Sequence, residues 1–508
     1  MEQTIQHTLF PGPNPDPAAV RPRVFPTARG KVFVDQLHPA QQTLEVRKVD
    51  DLVPQDAAVR MVKDVLDALD FTAFEAKCPG GGAPRRNPRL LCSIIVYAIM
   101  SGVQSAREMS RRLERDLHFM WLAREERIHH DTISRFRRAF KPEIEDLFCQ
   151  TVRLAMELGM TGLGCIAIDG TKLAGATARR GLSERGMDRA QAKIADEVAA
   201  LLAEMEAVDT AEDQELGASR GDEISQKLAD AEQRRQSIEA ARQVLQERGD
   251  KRVSLTDLEA REMKTMDGTR TGYNGQLAVD EESGIATAQQ VTTEQNDTQQ
   301  LVPMVQQTIG NTGCIPDEFV ADTGYHSAQA LEFALQTEGI NAYIAQYVAD
   351  SEGLFTHDDF TYDPESDTLT CPAGQVLRRG PDRVLTGTIR QCYQTRAVCH
   401  KCEMRSQCMK PGTKTKRHTV MLVPHHQLLS AMRKKVLTPE GQRAIKARGR
   451  TVERVFGTMK AVLRLRQFLL RGRDGAAIQF TLTAIAYNLR TILAWITAQA
   501  AERLPAGG

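Results

Sequence analysis

The chain is expected to be a multidomain protein of mixed α+β and α/β character: an all-α N-terminal domain, then a mixed-sheet core interrupted by two insertions. Three observations predict this. Apolar residues recur at helical spacing through the first third of the chain. Beyond Gly164, short apolar runs that end in an acid alternate with helical segments, as in CIAIDGT and FVADTGY. Two stretches break that alternation, one acidic with heptad spacing and one carrying five cysteines. At roughly 100–200 residues per domain, a chain this long holds two to four domains.

Residues 1–45 are rich in Pro and Gly without periodicity and are expected to form a loosely held arm. Residues 46–160 are expected to be a helical DNA-binding domain. Val59, Met61, Val62, Val65, Leu66 and Leu69 recur at helix spacing, and CPGGGAPRRNP then breaks the pattern. An apolar helix over Leu90–Met100 and a basic helix from near Ser105 follow. Asp131 can cap a third, TISRFRRAF, and Pro142 suits the start of a fourth. Residues 161–182 begin the sheet core with CIAIDGT. Residues 183–250 read as an acidic antiparallel helical hairpin: Ile194, Val198, Leu201 and Met205 are spaced 4, 3 and 4, and Ile224, Leu228, Ala231, Ile238 and Leu245 are spaced 4, 3, 7 and 7, with a turn at Gly217–Gly221. Residues 251–350 resume the core: a hairpin of YNGQLAVD and IATAQQVTT, a helix from Thr298 to Ile309, the strand FVAD, a helix from Ser327 to Gln336 and the strand AYIAQY. Residues 351–425 form the β-rich cysteine insertion, and helices over 426–508 complete the core.

The net charge is zero, 66 basic against 66 acidic residues, but the zero is a cancellation. Gly441–Gly475 carries ten basic and two acidic residues, a net of +8, and Pro84–Arg138 carries twelve and six, a net of +6. Ser183–Asp250 reverses this with nine and seventeen, a net of −8. Two basic zones and one acidic zone point to a polyanion bound at defined places. Hydrophobic residues at 41% and charged residues at 26% fit a folded protein and exclude a disordered one. No uncharged apolar run reaches the roughly 18 residues that would span a bilayer, and the N-terminus lacks the basic-then-apolar order of a secretory signal, so a cytoplasmic location is expected.

Asp169 and Asp322 each close an apolar strand, where a sheet opens into loops and exposes functional groups. Glu453 sits in TVERVFGTMK, one of two acids in the +8 zone, with Val452, Val455, Phe456 and Met459 as the apolar face of its helix. Three carboxylates converging at one sheet edge can hold two divalent ions about 3.5–4 Å apart, the geometry for displacement at a phosphodiester. Their hard oxygens favour Mg²⁺ or Mn²⁺. Singly, each acid is as well explained by a turn, a cap or an ion pair, Glu453 with Arg450 or Arg454. Asp267 reads as a turn residue, and Asp297 as the cap of the following helix or a residue near the metals. His326, after the second Asp, is a candidate DNA contact.

At these residues the chain resembles bacterial insertion-sequence transposases of the DDE type. The segments are IDGTK (Ile168–Lys172), GYNGQLAVD (Gly272–Asp280), ADTGYHS (Ala321–Ser327) and TVERVFGTMK (Thr451–Lys460), with the basic region around TISRFR upstream. The resemblance spans most of the chain, and ADTGYHS with VERVFGTMK is its most specific part. It implies an RNase H-like catalytic core with Asp169, Asp322 and Glu453 as catalytic, Mg²⁺- or Mn²⁺-binding acids, and an enzyme that cleaves and rejoins DNA. The partners implied are the terminal inverted repeats of its own element and target DNA, near the bacterial nucleoid, with a dimer in the synaptic complex. Lys460 matches a basic residue that contacts the element end. Lys446 and Gly449 stand where a Tyr and an Arg are usual, so Arg448, Arg450 and Arg454 become candidate phosphate contacts, with Arg135 and Arg137 in the N-terminal region. Two alternatives stay open: a domesticated nuclease, or a decayed copy that acts as a DNA-binding regulator.

Five of the ten cysteines fall in the second insertion. Cys399 and Cys402 are separated by two residues, a metal-ligand spacing, and Cys371 with Cys408 would complete a tetrahedral set for a structural Zn²⁺. Reduced thiols are the competing reading, and Cys392 is surplus to both. Cys92, Cys149 and Cys165 lie in apolar runs and are expected in the core.

Overall fold

A computed structural model of the chain describes residues 24–26, 32–34, 48–78, 86–176, 181–212, 219–265, 268–346, 353–385, 388–395, 399–413 and 417–503. The chain divides into two compact units, Met1–Pro54 and Gln55–Gly508. In the first, β1 (Val24–Pro26) and β2 (Val32–Val34) pair antiparallel, Val24 opposite Val34, and α1 (Val49–Leu52) follows. Within residues 1–45, read from the sequence as a loosely held arm, the described residues are this one pair of short strands. The remainder of residues 1–45 lies outside the described residues.

The second unit opens with helices: α2 (Ala58–Ala68), α3 (Thr72–Ala76), α4 (Pro88–Met100), α5 (Ala106–Arg115), α6 (Leu117–Leu122), α7 (His130–Ala139) and α8 (Lys141–Glu157). Their bounds follow local chemistry. Asn87 accepts from the Arg89 N–H at 2.8 Å and Pro88 takes the first helical position, so α4 starts two residues before its apolar run. His129, rather than Asp131, caps α7. Leu91 to Ile99 are buried because α4 packs on the C-terminal helix, described below.

The sheet is built from β3 (Cys165–Ala174), β4 (Arg261–Thr265), β5 (Gly268–Asp280), β6 (Ala286–Thr292), β7 (Glu318–Ala321) and β8 (Ala342–Ile344). Its order is β4-β5-β3-β7-β8, with β6 on β5. β3 runs antiparallel to β5 and parallel to β7, and β7 runs parallel to β8. Between β3 and β4, α9 (Glu184–Glu212) and α10 (Ser219–Arg248) pack antiparallel, joined by Arg234–Glu197 and Arg242–Asp188 ion pairs. Ile194, Leu201, Ala231, Ile238 and Leu245 are buried along their seam and Val198 lies at its edge; the side chains of Met205 and Ile224 and the connection 213–218 fall outside the described residues.

α11 (Leu301–Thr312) and α12 (Ala328–Gln336) cover one face of the sheet, where Ile166, Ile168, Phe319 and Ala321 meet Leu301, Met304, Val305, Ala330 and Leu331. After β8 the chain makes a second, six-stranded antiparallel sheet from β9 (Thr361–Asp363), β10 (Thr368–Thr370), β11 (Val376–Arg379), β12 (Arg383–Leu385), β13 (Thr388–Thr395) and β14 (Thr419–Leu422), with α13 (Arg405–Cys408) before the last strand. Its own small core holds Phe360, Leu369, Leu377, Tyr393, Val420 and Leu422. α14 (His426–Val436), α15 (Pro439–Ala461) and α16 (Gly472–Arg503) return to the main sheet. α16 packs on α4, α8 and β6 together, so the N-terminal helices and the sheet share one compact unit.

Candidate active site

Side chains alternate across a strand, so with Ile166 and Ile168 directed to α11 and α12, Asp169 faces the opposite side, where α15 packs. Ile168 pairs with Ala321 across the parallel strands β3 and β7. The next residues, Asp169 and Asp322, therefore stand side by side on neighbouring strands, which are spaced about 4.8 Å apart. Asp322 leaves β7 to cap a 3-10 turn over Thr323–Tyr325, its carboxylate accepting from the Gly324 N–H at 2.8 Å.

α15 starts at Pro439 behind the Thr438 cap and buries Ala444, Thr451, Val452, Val455 and Met459. This sets its basic residues against the acids. Arg448 Nη1 donates to Asp169 Oδ2 at 2.8 Å, and the two side chains are only 17% and 20% exposed. Burial pushes the Asp169 carboxyl up to about 6; the neighbouring Asp322 adds to the rise, while Arg448 and the Gly170 N–H oppose it. Lys460 is half-buried, and desolvation lowers its pKa against the pull of Asp169. Glu453 is exposed, with Oε1 4.0 Å from where a Cβ on Gly449 would stand. Seven residues apart, Glu453 and Lys460 share one face of α15.

The three acids do not close on one another: among the described residues, the one group of three or more metal-type donor atoms all within 4.8 Å is His129, His130 and Asp131. That group is accounted for by the start of α7, where the His129 ring accepts from the Asp131 N–H. The acid pair nevertheless fits a divalent ion. Two hard carboxylates stand at neighbouring positions, Asp169 on β3 and Asp322 just past β7; burial and then the neighbouring acid raise Asp169, and the Arg448 guanidinium supplies the positive charge between strand and helix. Arg448 Nε is itself buried without a partner, so this ion pair is incompletely satisfied.

Asp297, expected either as the cap of the following helix or as a residue near the metals, is held by side chains of β5. The α11 helix starts at Leu301, after Gln300, and the Asp297 carboxylate turns into the sheet. Its Oδ1 accepts from Asn274 Nδ2 and Gln276 Nε2, both at 2.6 Å, and its Oδ2 is 3.8 Å from Lys172 Nζ. Tyr325, in the turn after Asp322, donates its hydroxyl to Gln276 Oε1. The sequence does carry a sign of this: Asn274 and Gln276 are polar residues two apart within an otherwise buried strand, which puts both on one face. Asp267 lies outside the described residues.

Of the expected DNA contacts, Arg135, Arg450 and Arg454 are exposed, and Arg454 lies against the β5–β6 turn at Gly284. Arg137 is a correction. It is 2% exposed, with Nη1 donating to the Gln104 carbonyl at 3.3 Å and Nη2 to Met109 Sδ at 3.0 Å, so it braces the N-terminal helices from within. His326 is half-buried and paired with Gln346, and burial lowers its pKa. In the second insertion Cys371, Cys399, Cys402 and Cys408 line one cavity of about 480 Å³ with His418. Burial raises the Cys408 thiol, and the other three cysteines add to the rise. Cys92 and Cys165 are core residues, whereas Cys149 is half-buried and donates its thiol to Asn311.

Two family models match the chain. A transposase DDE domain matches residues 370–493, from the cysteine insertion through Glu453 and most of α16. A transposase domain of the family DUF772 matches residues 47–139, which hold α1 to α7. Asp169 and Asp322 lie between the two matched segments. Both matches are to transposase families, and together they support an insertion-sequence transposase of the DDE type. Comparison with curated proteins and with solved structures finds no match. No helix among the described residues is long and apolar enough to cross a membrane.

Proposed function

We propose that this transposase binds the terminal inverted repeats of its own element and catalyses metal-dependent DNA strand cleavage and strand transfer, with Asp169, Asp322 and Glu453 as the catalytic acids. The observation that carries the reading is the pairing of Ile168 with Ala321, which sets the first two acids side by side beneath the basic helix that bears the third. The strand order supports an RNase H-like core: β6, β5 and β3 antiparallel, then β7 and β8 parallel to β3, with helices on both faces.

Two Mg²⁺ or Mn²⁺ ions held by the three acids would supply Lewis-acid stabilisation of the attacking and leaving oxygens. The chain's own residues do the rest. Arg448 holds the Asp169 carboxylate, and with a cation bound there its guanidinium would be available as a donor to a DNA phosphate. Arg450 and Arg454 on the exposed side of α15, and Lys460 one helical stretch on, hold the phosphate backbone. Arg135 extends that track onto α7. A dimer would bring two element ends together.

Cleavage of labelled DNA carrying the element boundary tests this, with wild type beside Asp322→Asn and Glu453→Gln in Mg²⁺ or Mn²⁺. Nicking at the boundary that is lost in both variants is expected. Specific binding without cleavage in either metal would refute the catalytic reading and leave an end-binding regulator, which the Arg448–Asp169 ion pair would then lock.

For the second insertion we propose a structural Zn²⁺ on Cys371, Cys399, Cys402 and Cys408. They line one cavity from three parts of the insertion, which supports it, although no three of their sulfurs lie within 4.8 Å of one another and metal binding would have to draw them together. Metal analysis of protein purified without chelator should find one zinc per chain, lost in Cys402→Ser; metal-free wild type with four titratable thiols in this insertion would refute it.

A further inference from the structure

Asp169 stands midway along β3 and Asp322 just past the end of β7, and something must hold the two in a fixed relation if both acids are to serve one reaction. Main-chain pairing does this only as far as Ala321, where β7 stops. Beyond it Asp322 sits in a turn. On the other side of β3, Gly170 and Lys172 pair with Gln276 and Asn274 of β5.

The side chains supply the missing link. Asn274, Gln276 and Tyr325 are fully buried, yet each carries polar groups that require partners. Asp297 Oδ1 takes one N–H from each amide at 2.6 Å, and Gln276 in turn accepts the Tyr325 hydroxyl. The Gln276 side chain, oriented by that carboxylate oxygen, thus connects the strand beside β3 to the turn that follows Asp322. The same carboxylate lies near a glycine that follows each acid, Gly170 within β3 and Gly324 in the turn. A Cβ on Gly170 would stand 2.7 Å from Asp297 Oδ1, and one on Gly324 would stand 3.5 Å from Oδ2. Glycine therefore stands next to each acid where Asp297 approaches, and at Gly170 no larger residue fits the space beside it.

We propose that Asp297 is a positioning residue for the acid pair: its Oδ1, accepting from Asn274 and Gln276, fixes the turn after Asp322 against the strand that carries Asp169. The inference rests on the reading of those two acids as catalytic and adds a fourth carboxylate that acts through them. Losing a group that orients metal-binding residues typically costs about 10–100-fold in activity or metal affinity.

The test compares Asp297→Ala, Asp297→Asn, Gln276→Leu and the double variant Asp297→Ala/Gln276→Leu in boundary-DNA cleavage over a range of Mg²⁺ concentrations. Mobility shift of the same DNA and thermal unfolding check binding and folding. Asp297→Ala should cut cleavage by about tenfold or more and move the Mg²⁺ midpoint upward, with DNA binding unchanged. Asp297→Asn, which keeps an accepting oxygen where the amides converge, should recover most of that loss. The double variant should be no worse than the poorer single one, because both changes cut one link. Asp297→Ala with wild-type cleavage and Mg²⁺ midpoint would overturn the proposal, as would Asp297→Asn as impaired as Asp297→Ala, since charge and not the accepting oxygen would then matter. Cleavage that survives Asp169→Asn and Asp322→Asn would instead overturn the reading beneath it, so the two failures are distinct.

Discussion

Replacing Asp169 by Asn should make the metal-free protein more stable near neutral pH while removing its cleavage activity. Asp169 is held at about 6, chiefly by burial and then by Asp322. In an unfolded chain an Asp titrates near 3.9, and each pKa unit is worth about 1.36 kcal/mol, so the ionised carboxylate costs the fold about 3 kcal/mol near pH 7.5. The sign follows from the raised value. Below about pH 4 the group is neutral in both states and costs nothing; the penalty grows as the pH rises and is complete above the folded value of about 6. Asn keeps the shape and stays neutral throughout. It leaves Arg448 without an ionic partner, which trims the gain to about 1–3 kcal/mol at pH 7.5 and to roughly half of that at pH 5. Urea unfolding of wild type and Asp169→Asn in EDTA at the two pH values measures this directly. A variant less stable than wild type at pH 7.5, or a difference equal at both pH values, would refute the account of Asp169 as a strained, buried carboxylate.

Three further outcomes follow from named contacts. Arg448→Met should lose about 1–3 kcal/mol in EDTA, because it strips the partner from a largely buried carboxylate, and should bind Mn²⁺ more tightly in a calorimetric titration; weaker Mn²⁺ binding would contradict the competition between guanidinium and cation. Arg135→Ala should leave the unfolding midpoint unchanged and reduce the salt slope of DNA binding by about 0.9, whereas Arg137→Ala should destabilise the protein by about 2 kcal/mol or more without changing that slope. Equal effects of the two on the salt slope would show that the burial of Arg137 does not hold in solution. Ile238→Ala, at a fully packed position in the seam of α9 and α10, should cost about 2–5 kcal/mol locally, read as faster amide exchange along both helices and not in the sheet.

Much of this protein follows from local sequence pattern, because helix and strand periodicity report the one face a segment must bury. The apolar runs before Asp169 and Asp322, the seam through Ile194, Ala231, Ile238 and Leu245, and the apolar face of α15 are legible in this way, but β3 does not end at Asp169 as expected and continues to Ala174. A helix start is legible too where its cap is local, as at Ser327, which accepts from the Ala330 N–H before α12. Arg135 and Arg137 mark the limit. They are identical in type and two residues apart, but a helix turns about 200° between them, so one faces solvent and the other fills the space between α5 and α7. The apolar neighbours Ile133, Phe136 and Phe140 show which side is buried, though not that a guanidinium would be accepted there by the Gln104 carbonyl and Met109.

The tertiary structure decided what no segment carries alone. That Asp169 and Asp322 are neighbours depends on the register of two strands about 150 residues apart in the chain, set when Ile168 and Ala321 enter the same core. That Arg448 meets Asp169 depends on α15 packing across that sheet from the far end of the chain. Asp297 shows the same physics in reverse: its sequence context offers a helix start close by, but two buried amides needed an acceptor, and their demand outweighed the cap. Sequence by itself determined which segments must bury an apolar face and which residues carry charge, since transfer from water is a property of each side chain. Which charges meet was decided by packing, since Coulomb and hydrogen-bond energies depend on distances that only the folded chain sets.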